Sequence, residues 1–312
     1  MNASTQPAAE PQSTPPAGAP ARPVRGAFRT LHRLRVRWAE VDLQGIVFNG
    51  HYLMYLDTAV ADHWRGMGLP YVESMQRLGG DLYVKRAVLD YSASARLDDL
   101  LDIGIRCLRV GRSSLQFQGA VFVQDRLLVT GELIYVFADP ATQKSRAVPA
   151  ELRAIVEAYE AGEAMTQVRT GSWAELGDDA RAIREEVFVR EQGIALELEV
   201  DAADAGCLHA VAYNRLGMPL ATARLVQEAP GVAKLGRMAV RQTMRGGGVG
   251  SAVLDALCEA ARTSGHTQLH LHAQLSAQTF YLRRGFTAQG PVFAEDGIDH
   301  VAMRRPLGPA NP

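Results

Sequence analysis

Four strand-like runs follow one another closely after Gly79-Gly80, and they constrain the fold more than any other feature of the chain. They span residues 82–95, 101–110, 114–124 and 127–137, with Gly111-Arg112 and Gln124-Asp125-Arg126 as turns between them. Ahead of them, Leu31 to Trp38 alternates Leu34, Val36 and Trp38 with Arg33, Arg35 and Arg37, the period of a half-buried strand. Asn49 to Trp64 repeats Leu53, Leu56, Val60 and Trp64 at spacings of three and four, the period of a helix. Tyr52, Tyr55 and Ala59 widen that face, which predicts a helix buried on most sides. One strand, one long helix and then several antiparallel strands is an α+β order. Pro149 to Tyr159 reads as a closing helix.

The pattern changes after a linker at 161–171. Residues 180–192 and 249–264 read as helices, with Ile183 and Val187, and then Val253, Leu254, Leu257 and Ala261, turned inward. Between and after them, 208–214, 220–227, 234–240, 269–273 and 300–304 read as strands, and 277–284 as a short helix. Strands alternating with helices indicate an α/β or mixed unit. The chain therefore divides into a tail at 1–25, a first domain at 26–160 and a second at 166–307, with no repeat relating the two. The tail is rich in Pro, Ala, Ser, Thr and Gln and cannot offset its ordering entropy, so disorder is expected there.

A formal net charge of -1 supplies no global field toward nucleic acid or anionic lipid, so neither is an expected partner. No stretch approaches the roughly 20 apolar residues of a spanning helix, and the cytoplasm is the expected location. Cys107, Cys207 and Cys258 fit no metal-ligating spacing. They read as small apolar residues in a reducing compartment, and no metal is expected.

Arg245-Gly246-Gly247-Gly248-Val249-Gly250-Ser251 joins a strand to an amphipathic helix. Such a turn is either a flexible loop or an anion site. In the second case, bare backbone N–H groups, a helix start and Arg245 face a pyrophosphate. It lacks the Gly-Lys-Ser/Thr end of a P-loop. Met238-Ala239-Val240, Arg245-x-x-Gly248-x-Gly250 and Ala277-x-x-Phe280-Tyr281-x-x-x-Gly285-Phe286 together resemble the GNAT acetyltransferases over about 140 residues. Ile183-Arg184-x-x-Val187-Phe188-Val189-x-Glu191-Gln192-Gly193 and Glu295-Asp296-Gly297-Ile298-x-His300-x-x-Met303 resemble a bacterial subgroup of that family. The resemblance implies acetyl-CoA as cosubstrate and an amine acceptor. The backbone of Met238, Ala239 and Val240 would hold the pantetheine arm and the acetyl carbonyl. That of Arg245, Gly246, Gly247, Gly248, Val249, Gly250 and Ser251 would hold the pyrophosphate, and Tyr281 would protonate the departing thiolate. The general base is not assigned by it. His209, His300, Glu197, Glu199, Asp296 and water are all candidates.

In the first domain, Asp42 precedes the long helix. A carboxylate there caps a turn, binds a cation, or attacks or activates water against a carbonyl held at the helix start. Arg37-Trp38-Ala39-Glu40-x-Asp42, Gly45-Ile46-Val47-Phe48 and Tyr52-Leu53 resemble hotdog-fold acyl-CoA thioesterases of the 4-hydroxybenzoyl-CoA type. Asp99, Gly111-Arg112-Ser113-Ser114 and Gly131 extend the match. The resemblance implies a long helix wrapped by an antiparallel sheet, with Asp42 as catalytic carboxylate. Val47 or Phe48 would supply the oxyanion N–H, and the acyl cleft would lie between two copies of the chain. Relatives place a His where Asn49 stands and an Asn where His51 stands, and their helix carboxylate falls at Asp57. The combined expectation is a bifunctional acyl-CoA thioesterase and N-acetyltransferase that forms a homo-oligomer through its first domain. A non-catalytic acyl-CoA sensor, or an acetyltransferase on a hotdog scaffold, remains the alternative.

Overall fold

The computed structural model describes residues 22–199 and 201–308. The expected disordered tail lies outside them for residues 1–21; its last residues are ordered, because Arg25 forms a 3-10 turn and its Nε donates to the buried carboxylate of Asp102 at 2.7 Å.

The first unit contains β1 (Leu31–Arg35), α1 (Asn49–Gly66), α2 (Tyr71–Leu78), β2 (Asp81–Tyr91), β3 (Leu100–Val110), β4 (Ser114–Val123), β5 (Arg126–Ala138) and α3 (Ala150–Glu160). The strands form one antiparallel sheet in the order β1-β3-β4-β5-β2, with α1 packed across β3, β4 and β5. Gly119 and Gly131 face each other in that sheet. A Cβ on either would lie within 2.6 Å of Leu56, so their lack of side chains lets the helix settle onto the strands. The buried stripe of α1 is Tyr52, Tyr55, Leu56, Ala59, Val60, His63 and Trp64. Leu53, expected inside, is 41% exposed beside the open Met54, so the helix is buried along one side and apolar on part of the other. The alternation of the first strand also ends early. Trp38 sits in a 3-10 turn, 85% exposed.

The second unit contains β6 (Thr166–Gly171), α4 (Trp173–Arg184), a π-helical turn (Glu185–Glu191), α5 (Leu196–Glu199), β7 (Leu208–Asn214), β8 (Pro219–Ala229), β9 (Val232–Val240), α6 (Val249–Thr263), β10 (Gln268–Gln274), α7 (Gln278–Leu282), β11 (Thr287–Glu295) and β12 (Ile298–Pro306). Its seven strands run in the order β11-β12-β10-β9-β8-β7-β6, and β9 with β10 is the parallel pair. β6 occupies most of the expected linker; its exposed side chains hide its edge position in the sequence.

The turn between β7 and β8 reaches into the first unit. Leu216 and Met218 join the core of α1 and α2, where Ser74 Oγ donates to the Met218 sulfur at 3.7 Å. Asn214 holds that turn. Its Oδ1 accepts from the Leu216 and Met218 amides and its Nδ2 donates to Gly68 O, each at 2.9 Å. Arg241 adds a second clasp, pairing with Glu73 on α2 at 2.6 Å and with Glu186 in the π-helical turn at 3.0 Å. Among the described residues no helix is long and apolar enough to cross a membrane.

Asn214 is buried, so Asn214→Ala would strand two amides and a carbonyl away from water. The variant should lose on the order of 2–4 kcal/mol in urea unfolding of the full chain. A loss under about 0.5 kcal/mol, the range of an ordinary surface change, would mean that the turn is not held this way.

Candidate active sites

β9 and β10 pair only at Val232–Gln268, Ala233–Leu269 and Lys234–His270 and then separate. A cleft of about 1060 Å³ opens between them, with Met238, Ala239 and Val240 on one wall and Leu271, His272 and Gln274 on the other. Arg241 N–H donates to Leu220 O on β8 at 3.0 Å. Amides alternate along a strand, so the Val240 N–H points the other way, into the cleft. β9 also bulges here, where Ala239 and Gly236 face Thr222 and Arg224, with Arg237 at φ 53.

The glycine-rich turn closes the wide end. Gly246 at φ 83 and Gly248 at φ 86 are left-handed, and Cβ atoms built on them would meet nothing within 4 Å. The turn therefore presents bare backbone and the start of the 15-residue α6 to open space. Arg245, Gly246, Gly248, Val249, Gly250 and Ser251 all line the cleft; Gly247 does not. Arg245, the expected local cation, lines the cleft with a partner already in place. Glu191 grips it through two hydrogen bonds of 2.7 and 2.6 Å. That pairing holds the Glu191 carboxyl below its usual range and leaves the backbone as the open anion ligand.

Tyr281 lies in the cleft wall between Phe280 and Phe286, whose ring centroids are 5.0 and 5.7 Å away. Burial pushes its phenol well up, so it keeps its proton. The base candidates separate. His300 and Asp296 line the cleft. His209 is buried, bonded to Asp204 O at 2.9 Å and packed on Trp173, outside the lining. Glu197 is exposed and also outside it. Glu199 reaches the lining but is locked to Arg184, which is itself 1% exposed. His272, absent from the expected bases, also lines the cleft, and its Nδ1 lies 2.7 Å from Glu295 Oε2. Alternation in Gln-Leu-His-Leu-His-Ala-Gln, residues 268–274, places His270, His272 and Gln274 on one face and is the signal that would have found it.

A charged network buttresses this wall. Arg184 pairs with Glu199 and with Asp204 at 2.9 Å, Arg224 with Asp204 at 2.8 Å and Asp201 at 2.6 Å, and Arg237 with Asp201 at 3.1 Å. Hydrogen bonding from Arg224, with the charges of Arg224 and Arg237, outweighs burial and holds the Asp201 carboxyl down at about 2.

In the first unit, Asp42 precedes α1, and one of its carboxylate oxygens accepts from the Gln44 N–H at 2.8 Å, forming an Asx turn. The expected oxyanion donors are occupied. Val47 N–H donates to Ala95 O at 2.9 Å and Phe48 N–H to Glu40 O at 3.0 Å. Both amides serve the loop because the chain between the first 3-10 turn and α1 folds back on itself through a bridge of Val41 with Val47. The donors a helix start leaves open are those of its first turn, here Asn49 and Gly50. Glu40 is 3% exposed beneath this loop. Burial pushes its carboxyl up, and hydrogen bonds from Arg37 outweigh that and leave it below the usual range. Asp57 is exposed on α1 and accepts from the Tyr135 hydroxyl at 3.1 Å. His51 stacks on Tyr55 with ring centroids 6.4 Å apart.

A family model described as an acetyltransferase (GNAT) domain matches residues 186–307, and one described as the thioesterase superfamily matches residues 44–130. An uncharacterized N-acetyltransferase of Bacillus subtilis is 34% identical over 128 residues, which is 41% of this chain and 90% of that protein. Among solved structures, an acyl-CoA N-acyltransferase from Pseudomonas aeruginosa is 32% identical, covering 45% of this chain and 99% of its own, with a TM-score of 0.41. A thioesterase from Thermus thermophilus, solved with coenzyme A and zinc, is 23% identical, covering 43% and 97%, with a TM-score of 0.38.

A carboxyl depressed by folding contributes stability above its unfolded value and loses it as pH falls through the folded one. For Asp201 that window runs from about pH 4 down to about 2. Arg224→Gln should therefore be less stable than wild type at neutral pH, with the gap narrowing across this window in denaturant titrations. A gap that stays constant from pH 5 to pH 2 would show that the Arg224–Asp201 pair is not what Arg224 contributes.

Proposed function

We propose, on the premise that this chain belongs to the GNAT acetyltransferases through its C-terminal half and carries a thioesterase-superfamily domain in its N-terminal half, that it performs two reactions on coenzyme A thioesters. The observation that carries the reading is the parting of β9 and β10 above a glycine-rich helix start. An extended pantetheine arm fits such a gap as an added strand would, because it carries amides that pair with an unpaired strand edge. The pyrophosphate lies over Gly246 to Ser251, where backbone N–H groups and the α6 dipole face it. Backbone N–H groups of the Met238–Val240 stretch polarise the acetyl carbonyl beside the β9 bulge, and an amine attacks the carbonyl carbon. Tyr281, kept protonated by burial, supplies a proton to the thiolate as the carbon–sulfur bond breaks.

In the first half the reaction is thioester hydrolysis. Asp42, with one carboxylate oxygen tied to Gln44 N–H, attacks the carbonyl or activates water with the other. Asn49 and Gly50 at the start of α1 are the donors for the oxyanion. Asp57, held by Tyr135, is the second carboxylate in reach of this role. Two copies complete the acyl cleft: β2 ends the sheet, and Leu53 and Met54 offer apolar surface that a second subunit would cover. If the wild type binds acyl-CoA without turnover, the first half is a sensor or a scaffold instead.

Both readings are tested by free-thiol release from the full chain. With acetyl-CoA and a primary amine, Tyr281→Phe should lose about 10²–10⁴-fold in kcat with acetyl-CoA affinity unchanged in calorimetry. Wild-type turnover in that variant would make Tyr281 a core residue only. With acyl-CoA and no amine, Asp42→Asn should stay folded and oligomeric and lose hydrolysis. Full hydrolysis by Asp42→Asn together with an inactive Asp57→Asn would move the role onto the helix.

A further inference from the structure

β10 separates its side chains by alternation. Leu269, Leu271 and Ala273 are buried, and Gln268, His270, His272 and Gln274 stand on the other face. If the β9–β10 register is continued past Lys234–His270, His272 falls level with Gly236. That places it toward the narrow end of the cleft, short of Met238 to Val240 and away from the glycine-rich turn. A thioester entering from the turn would stop near the β9 bulge. An acceptor would meet it from the His272 side.

The imidazole there has a defined orientation. Its Nδ1 faces Glu295 on β11 at 2.7 Å. A carboxylate only accepts, so the proton of the neutral ring belongs on Nδ1 and the lone pair on Nε2. Phe293 meets the ring edge-on with centroids 4.9 Å apart and limits its rotation. Burial pushes the Glu295 carboxyl up, but the His272 hydrogen bond and the charges of His272, His300 and Lys234 outweigh it, so Glu295 is ionised. The neighbouring histidines differ. His300 spends its Nδ1 on Ile298 O two residues away, at 2.8 Å. His270 has a carboxylate, Glu228 at 3.0 Å, but lies outside the cleft lining. Among the described residues, His272 joins a carboxylate partner to a place in the cleft wall.

We propose that His272, positioned by Glu295, is the general base of acetyl transfer. This rests on the acetyltransferase reading above. The neutral amine attacks the acetyl carbon, the nitrogen–carbon bond forms and the carbon–sulfur bond breaks. One proton passes from the amine nitrogen to His272 Nε2, and one passes from Tyr281 to the thiolate. Solvent then returns a proton from His272 to Tyr281, so amine and acetyl-CoA become amide and coenzyme A with nothing left over. The charge gained by His272 lies against Glu295 on β11. The other titratable groups around it are His270 on its own strand, Lys234 on β9, Glu228 on β8, His300 on β12 and Asp296 in the turn between β11 and β12.

The test uses the full chain, acetyl-CoA, and butylamine, 1,4-diaminobutane and hydroxylamine as acceptors. His272→Gln should cut kcat for the alkylamines at least about 10²-fold and leave acetyl-CoA affinity unchanged. Hydroxylamine gives up an N–H proton in the same step and should lose activity as well. Once the ionisation of the amine itself is divided out, the remaining acid-side fall of kcat/KM should vanish in the variant. Glu295→Gln should lower kcat without changing KM for acetyl-CoA, and ¹⁵N NMR should show the His272 proton shifting from Nδ1 toward Nε2. Wild-type kcat and pH profile in His272→Gln would overturn the assignment while leaving the acetyltransferase standing. A wild type that binds acetyl-CoA but transfers to none of the three would overturn both.

Discussion

A backbone amide taken from water needs a partner, and the second unit is organised around a place where that need is left open. β9 has β8 along one edge but loses β10 after three residue pairs. Closing the gap would pair Leu235 onward with Leu271 onward and erase the cleft. Several features oppose closure. The β9 bulge turns the strand, α6 begins directly above it, and Gln192 and Gln274 join their side chains at 2.9 Å across the opening. The π-helical turn Glu185–Glu191 adds Val187 and Phe188 to the wall. Such widened turns in helices recur at functional sites because they re-aim side chains without ending the helix.

The charges behind that wall are costly to bury and would not be chosen for stability alone. Arg184, from the end of α4, meets carboxylates from α5 and from the 3-10 turn after it, Arg224 comes from β8, and Arg237 from β9. One network therefore ties the end of α4, α5 and the 3-10 turn to the paired strands β8 and β9. The left-handed Arg237 is held by two of its members, Glu199 and Asp201. Directional bonds suit this task better than apolar contact, which would tolerate sliding.

What could be read in the chain beforehand was whatever is local. The stripe of α1, the glycine-rich turn and the four runs of the first sheet each declare themselves within a few residues, and the structure places all of them as elements. What escaped depended on distant partners. His272 and Glu295 are 23 residues apart and meet only because β10 and β11 flank β12. β11 itself is almost wholly exposed and interrupted at Gly290-Pro291, so it carries no apolar period. The amides of Val47 and Phe48 looked open from the helix start, yet Ala95 and Glu40 claim them through a fold-back that no periodicity reports. Leu53 matched the helical spacing but falls on the open side of α1, because Tyr52 and Tyr55 set the angle of the buried face.

The turn that carries Leu216 and Met218 has a consequence for how the chain is made. These residues complete a core whose other buried members end at Met165, so the first unit lacks two of them until the second is well under way. A ribosome extends a chain by roughly 5–20 residues per second. For some seconds, then, the nascent first unit exposes the surface around Gly68 and Ser74 that this turn will later cover. A second nascent copy offers the same apolar surface at the same moment. The completion of the first unit's core only after the junction has been made is thus written into where one short turn lands.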